Sequence, residues 1–139
     1  MVTSVMRAHQ ILLARVHDAL KPSGLTFAQY EALMLLSFSR TGKLPLNKIG
    51  QRLQVHPTSV TNVIDRLESK RLVERIPHPK DQRTTLAGIT RKGRNVAAKA
   101  TAAVNDEVFT ATGFDEAQLH ELTSLITTMR VQAGDFLSG

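Results

Sequence analysis

The side chains best suited to binding chemistry lie in a basic loop that contains Lys80, Asp81 and Arg83. The guanidinium of Arg83 is planar and always charged, so it suits phosphate oxygens and the electronegative minor groove of a DNA duplex. Lys80 offers a second cation for a phosphate group. Asp81 has the opposite charge, and we expect it to hold an arginine or the loop backbone through a charge-assisted hydrogen bond. Alternatively, Asp81 is an ordinary turn-forming residue.

A polar helix face precedes this loop. Apolar residues recur at helical spacing at Val60, Ile64 and Leu67, which predicts a helix over 57–70 with Pro57 at its first position. The opposite face carries hydroxyl groups, which can bond phosphates or base edges, and an amide, which can pair with adenine. An ordinary solvated face is the alternative. The residues of this helix that we expect to contact DNA are Pro57, Thr58, Ser59, Thr61, Asn62 and Arg66.

The charge of the chain is concentrated in the same region. The formal net charge is +6, and residues 43–94 contain 12 Lys or Arg against 4 Asp or Glu. The rest of the chain contains 6 Lys or Arg against 8 Asp or Glu. Clustered positive charge is typical of proteins that bind polyanions, although a solvated basic surface has the same composition.

Several other classes of function find no support in the residues. The chain has no cysteine, which excludes a disulfide framework, a thiolate metal site and a thiol redox sensor. Its five histidines form no H-x-x-H or H-E-x-x-H pair, and no phosphate-binding glycine loop or nucleophile motif is present. We therefore expect no catalytic site, no metal and no cofactor. No signal peptide or membrane-spanning run is visible, so we expect a soluble cytoplasmic protein.

The elements that must position these residues are mostly helical. Thr26 and Gln29 form a capping box at the start of the second helix, and Gly42 is placed to end it. Gly50 lies inside a short helix, where we expect it to allow close approach of the next helix. The predicted helices cover residues 2–20, 26–42, 47–53, 57–70, 91–112 and 116–133, and the predicted strands cover 72–77 and 84–89.

This order of elements predicts a mostly α fold with a small β-wing, in one domain. The helix over 47–53, the turn Gln54-Val55-His56 and the helix over 57–70 form a helix-turn-helix, and the two strands form a wing behind it. Such a unit places a helix in the major groove and a wing arginine in the minor groove.

Two motifs give the chain a family resemblance. The wing contains Asp81-x-Arg83 followed by Ile89-Thr90-Arg91-Lys92-Gly93, and residues 59–70 are followed by Leu72-Val73-Glu74-Arg75. With Gly24-Leu25-Thr26 and Tyr30, these residues resemble the MarR family of bacterial transcriptional regulators across essentially the whole chain. The chain differs in having Arg71 where the family often has glycine, Ile89 where leucine is usual, and a shorter leading segment.

The resemblance implies an obligate homodimer. Residues 1–22 and 91–139 would be its dimerisation helices, and residues 26–90 its winged helix-turn-helix DNA-binding lobe. The apolar stripes of the terminal helices agree with this, for example Leu122, Leu125 and Met129. The dimer would bind a pseudo-palindromic operator in double-stranded DNA, with half-sites about one helical turn apart, and we expect it to act as a repressor.

The resemblance also implies a small aromatic or phenolic ligand that releases the DNA. Candidate lining residues come from the first two helices, although apolar residues at helical spacing more often belong to the core. These candidates are His9, Leu13, His17, Tyr30, Met34 and Phe38.

A winged helix that binds only proteins is the main alternative function. The polar, uncharged helix face and the wing arginine argue against it, because a protein-binding winged helix needs neither. The two functions differ in salt dependence, since phosphate contacts weaken steeply as salt rises.

Overall fold

The computed structural model describes residues 1–135, which form a mostly helical molecule with a small antiparallel sheet. This confirms the predicted fold class. A short 3₁₀ turn, Lys21–Ser23, follows the first helix, and a π-helical turn, Asn105–Phe109, extends the fifth. The helices are α1 (Val2–Leu20), α2 (Phe27–Phe38), α3 (Leu46–Leu53), α4 (Pro57–Ser69), α5 (Arg91–Val104) and α6 (Glu116–Gln132), and the strands are β1 (Lys43–Pro45), β2 (Val73–Pro77) and β3 (Thr85–Ile89).

Side-chain caps fix where α2, α5 and α6 begin. At α2, the Gln29 amide donates to Thr26 Oγ1 at 3.2 Å and the Gln29 side chain accepts from the Thr26 amide, as the predicted capping box requires. Asp115 and Gln118 form the same box at α6. Thr90 begins α5, where its Oγ1 accepts from the Gly93 amide at 3.0 Å.

The sheet has three strands, where the sequence predicted two. Its order is β1-β3-β2, and all neighbours are antiparallel. Ala87 of β3 lies opposite Leu44 on one side and Arg75 on the other. The prediction that Gly42 ends α2 was wrong: α2 ends at Phe38, and Gly42, at φ +71°, turns the chain into β1.

The fifth helix also ends earlier than predicted. Regular α-helix stops at Val104, and one wider turn carries the chain to Phe109 rather than to residue 112. Thr110 closes this turn, because its backbone amide and its Oγ1 both donate to the Asn105 carbonyl, at 3.1 and 2.8 Å. The wider turn still leaves Val104 and Val108 buried.

The core lies in the winged lobe, around α2. The largest fully buried side chains come from the first five helices and from β2: Leu20, Leu33, Leu36, Ile49, Ile64, Leu67, Val73 and Val104. In contrast, α6 contributes no buried residue. Its apolar residues Leu122, Leu125 and Met129 remain 44%, 63% and 48% exposed. The core of the lobe is therefore completed by α1 and α5, whereas the apolar face of α6 is uncovered in the single chain.

Candidate nucleic-acid interface

The turn between α3 and α4 sets the angle of the polar helix. Gln54 ends α3 in the left-handed conformation, at φ +55°, and His56 then returns to extended backbone. Gly50 lets the two helices approach, since a Cβ there would lie 3.0 Å from Val60 Cγ2. The close approach that the sequence predicted for Gly50 is confirmed.

The predicted contact face of α4 is on the surface. Val60, Ile64 and Leu67 are buried, which turns the opposite side of the helix outward. Thr61 Oγ1 donates to the carbonyl of Pro57 at 3.1 Å, so its lone pairs remain available to a donor. The six residues expected to contact DNA are all exposed: Pro57, Thr58, Ser59, Thr61, Asn62 and Arg66.

The wing tip is organised by Asp81. Its two carboxylate oxygens accept from the backbone amide of Arg83 and from Thr84 Oγ1, each at 3.0 Å. These bonds, first the one from Arg83, hold the pKa of Asp81 below its ordinary value. Asp81 therefore bonds the loop backbone, which is one of the two roles expected of it. The side chains of Lys80 and Arg83 are exposed on the same loop.

Two histidines, His56 and His78, complete the local structure through side-chain bonds that were not predicted from the sequence. His56 Nδ1 accepts from the Thr58 amide at 3.2 Å at the first turn of α4. His78 Nδ1 accepts from the amides of Lys80 and Asp81, at 3.1 and 3.0 Å. A histidine followed by a proline, present at both positions, is the only sequence signal, and it is weak.

Arg75 ties the wing to α4, a contact that the sequence also did not reveal. Its guanidinium bonds Asp65 at 2.5 Å and Glu68 at 2.7 Å, and its backbone amide bonds Glu68 at 3.2 Å. The hydrogen bond that Arg75 donates to Asp65 is the main reason that the pKa of Arg75 is raised. Two acids three residues apart on α4, with an arginine in the strand that follows, were the available signal. The network fixes the helix face and the wing relative to each other.

Arg71 makes the turn in which the family often uses glycine. Its φ is +60°, in the left-handed region. The amides of Arg71 and Leu72 donate to the carbonyls of Glu68 and Leu67, each at 2.9 Å, which is the bonding that closes many helices. The usual turn is therefore kept, with an arginine in a conformation that costs free energy.

The six candidate ligand residues are dispersed. Tyr30 is buried and its hydroxyl bonds Thr101 Oγ1 at 2.9 Å, and Thr101 Oγ1 also donates to Met34 Sδ at 3.3 Å. Phe38, at the end of α2, is 81% exposed. His9 and His17 are exposed on α1, and Leu13 is half-buried. The structure brings Tyr30 and Met34 together, and a ligand site built from all six stays a prediction.

None of the helices in residues 1–135 combines the length and the hydropathy that crossing a lipid bilayer requires. In the same residues, no three His, Asp or Glu side chains are grouped as ligands for a metal ion.

Comparison with known proteins identifies one family. The model of the MarR family matches residues 25–85, from the start of α2 to the wing. The structure of Sco5413, a MarR family transcriptional regulator from Streptomyces coelicolor, is 50% identical in sequence and has a TM-score of 0.89. The alignment covers 97% of this chain and 94% of Sco5413.

More distant similarity extends to curated sequences and to solved structures. The HTH-type transcriptional regulator MhqR from Bacillus subtilis is 34% identical over 87 residues, which is 63% of this chain and 59% of MhqR. The matches span only 51% to 59% of the first three curated relatives. A mutant MarR from E. coli, solved in complex with operator DNA, is 22% identical, with 91% of each chain covered and a TM-score of 0.84.

The near-complete alignment with Sco5413 at half identity carries more weight than the shorter matches, and it agrees with the wing and helix motifs. The chain belongs to the MarR family of winged-helix transcriptional regulators, a family of regulators and not of enzymes.

Proposed function

We propose that this chain is a homodimeric regulator that binds a pseudo-palindromic operator through α4 and the wing and represses transcription. The observation that carries the proposal is the pairing of the exposed polar face of α4 with the wing of Arg83, which Arg75 holds in one rigid unit. A structural neighbour, the mutant MarR from E. coli, was solved with operator DNA. A cytoplasmic location follows from the proposal, since operator DNA lies there.

The two parts of the unit have different roles. We assign the first turn of α4, with Pro57, Thr58 and Ser59, and the following Thr61 to phosphate and base-edge contacts in the major groove. Asn62 presents an amide that can pair with adenine. Arg83 enters the adjacent minor groove, where its charge is favoured. Arg66 and Lys80 contact phosphates.

A second copy of the chain covers the apolar face of α1 and α6. Ile11 and Leu12 on α1 are 48% and 43% exposed. They line a groove of ≈ 440 Å³ between α1 and the first half of α6, together with Leu119 and Leu122, and most of the side chains that line it are apolar. On this proposal residues 1–22 and 91–139 form the dimerisation region, and residues 26–90 form the DNA-binding lobe.

A small aromatic or phenolic ligand is proposed to release the DNA. The cluster of Tyr30, Met34 and Thr101 supports a site at the contact of α2 with α5, because it joins the lobe to a dimerisation helix. A ligand that displaced these bonds would change the distance between the two lobes. Coupling of this kind typically amounts to about 1–3 kcal/mol.

The test measures, by fluorescence anisotropy, how tightly the full chain binds a random duplex at about 50 mM and about 200 mM salt. A steep loss of affinity with salt supports phosphate contacts. A flat response would contradict the proposal and favour a winged helix that binds proteins.

A further inference from the structure

His56 and His78 make the same contact at the two DNA-facing elements. In each, ring Nδ1 accepts from the backbone amide two residues later, at 3.2 Å from Thr58 and 3.1 Å from Lys80. His78 also accepts from the Asp81 amide at 3.0 Å. Asn and Asp side chains commonly supply this bond at helix starts and turns, so histidine replaces a residue type that serves equally well as an acceptor.

The replacement makes the contact dependent on protonation. A ring nitrogen accepts a hydrogen bond only when it carries no proton, and both nitrogens are donors in the charged ring. Histidine is also the side chain whose ordinary titration lies between about pH 5 and 8. The three bonds are therefore present at high pH and are lost as the rings become charged.

The bonds lie where they affect sequence reading. The His56 bond closes the first turn of α4, which presents Thr58 and Ser59. The His78 bonds fold the start of the loop that carries Arg83, and the His78 amide closes the same loop by donating to the Thr84 carbonyl at 3.2 Å. Loss of these bonds frees the first turn of α4 and the wing tip.

Charged groups near each imidazole attract or repel the charged ring, whereas the bonds from the backbone amides require the neutral ring. Asp81 attracts the charged ring of His78, and its own pKa, lowered first by the Arg83 amide, keeps it a carboxylate throughout the histidine range. The other charged groups of the adjoining elements are Lys80, Arg83, Glu74 and Arg75 at His78, and Lys48, Arg52, Asp65, Arg66 and Glu68 on the two helices that meet at His56.

A charged imidazole also attracts any DNA phosphate, whatever the sequence. Protonation therefore adds affinity for all duplexes while it releases the elements that tell them apart. As pH falls, the ratio of the affinity for a specific duplex to the affinity for a random duplex must therefore fall.

We propose that His56 and His78 form a pH-dependent switch of sequence recognition, in which the neutral imidazoles hold α4 and the wing tip in the reading conformation. The proposal rests on the proposed DNA-binding function. It predicts that the protein discriminates best at neutral to slightly alkaline pH.

The test uses the full chain and two duplexes of equal length. One is the duplex that binds most tightly after selection from a random pool, and the other is an unselected duplex. Affinities are measured at about pH 7.8 and about pH 5.5 at constant ionic strength. The wild-type ratio of the two affinities is expected to fall at least about fivefold at the lower pH, the equivalent of losing one cap. The double variant H56N/H78N keeps an acceptor that does not titrate, so its ratio is expected to stay constant.

His120→Asn, on exposed α6, is the matched control and should keep the wild-type pH dependence. A wild-type ratio that is equal at both pH values would overturn the proposal. An equal fall in the H56N/H78N variant would overturn it as well.

A second measurement separates this proposal from the proposed function. Without DNA, the NMR signals of the Lys80 and Asp81 amides should shift with pH together with the His78 ring, and those of Thr58 with the His56 ring. Absence of DNA binding at about pH 7.8 would refute the proposed function, whatever the amides do. Amides that stay unchanged while the rings titrate would refute the switch alone.

Discussion

Arg83 is held at the wing tip through its backbone, since its amide donates to the Asp81 carboxylate at 3.0 Å. The bond favours the charged form of Asp81, and its pKa in the folded chain is lower than in the unfolded chain. The contribution of Asp81 is therefore complete above the ordinary aspartate pKa of about 3.9 and is lost as pH falls through the lower value. The side chain of Arg83 is left to face solvent or DNA.

Arg83→Ala is expected to weaken binding to a selected duplex and to lower the slope of log affinity against log salt by about 1, because one phosphate-region contact is lost. The oligomeric state should not change. Arg7→Ala on α1 removes the same charge and serves as the control. Unchanged affinity in a gel-shift titration of Arg83→Ala would show that the wing does not touch DNA.

Arg71, like Gln54, is a non-glycine residue in the left-handed region, a conformation that costs stability. A side chain at φ +60° is strained relative to glycine, which adopts that region freely. Arg71→Gly is therefore expected to raise the free energy of unfolding by about 1 kcal/mol, measured by urea denaturation at fixed protein concentration. Arg71→Ala removes the charge but keeps the strain, and an equal gain in that variant would assign the effect to charge.

At the scale of elements, Gly93 sets how closely α5 approaches β2. A Cβ at this position would lie 2.1 Å from the Leu72 carbonyl oxygen, which is backbone and cannot rotate away. Gly93→Ala is expected to lower the free energy of unfolding by about 2 kcal/mol, again by urea denaturation. In Gly50→Ala the new Cβ lies 3.0 Å from Val60 Cγ2, a side-chain atom, and in ordinary contact, 3.5 Å, with the Val55 carbonyl oxygen. Helix propensity improves, so the free energy of unfolding should change by no more than about 1 kcal/mol. Equal losses in the two variants would contradict this account of the close contact.

The elements that the sequence predicted well are those with local signals. The capping boxes of α2 and α6 and the apolar stripe of α4 depend on residues three or four apart, and they gave the correct starts and the correct outward face. In contrast, β1 is three residues long, contains Pro45, and exists only because β3 pairs with it more than forty residues later, where Lys43 lies opposite Gly88. No periodicity over three residues can predict such a strand.

The contacts missed at the candidate interface have two causes. Arg75 reaches Asp65 and Glu68 only after β2 folds back along α4, so its role depends on tertiary structure. The caps made by His56 and His78 are local, but histidine is rare in that role and gives no reliable signal. The motif residues, Asp81 and Arg83, were found because their types and spacing alone indicate a wing.

For the whole molecule, α6 connects the apolar face to the helix-turn-helix. Its first half borders the groove against α1, and Asp135, just beyond its end, accepts from Gln54 Nε2 at 3.1 Å and pairs with Arg130. Gln54 is the first residue of the turn between α3 and α4. Under the proposed function, a shift of the proposed dimerisation helices would therefore reach α4 through α6.

Leu125→Glu tests the proposed dimer, since Leu125 is 63% exposed on the apolar face of α6. A buried carboxylate in a two-fold interface is costly, so the variant is expected to sediment as a monomer where the wild-type chain sediments as a dimer. Thr123→Glu, on an exposed position of the same helix, is the control for the added charge. A wild-type chain that sediments as a monomer would contradict the dimer directly.

Selection of bound duplexes from a random pool, with the wild-type chain at about pH 7.8, tests the central claim most directly. Two copies that each place α4 and a wing on one face of DNA should enrich an inverted repeat with half-site centres about 10–10.5 base pairs apart. Enrichment of a single asymmetric site, or of no sequence at all, would contradict it.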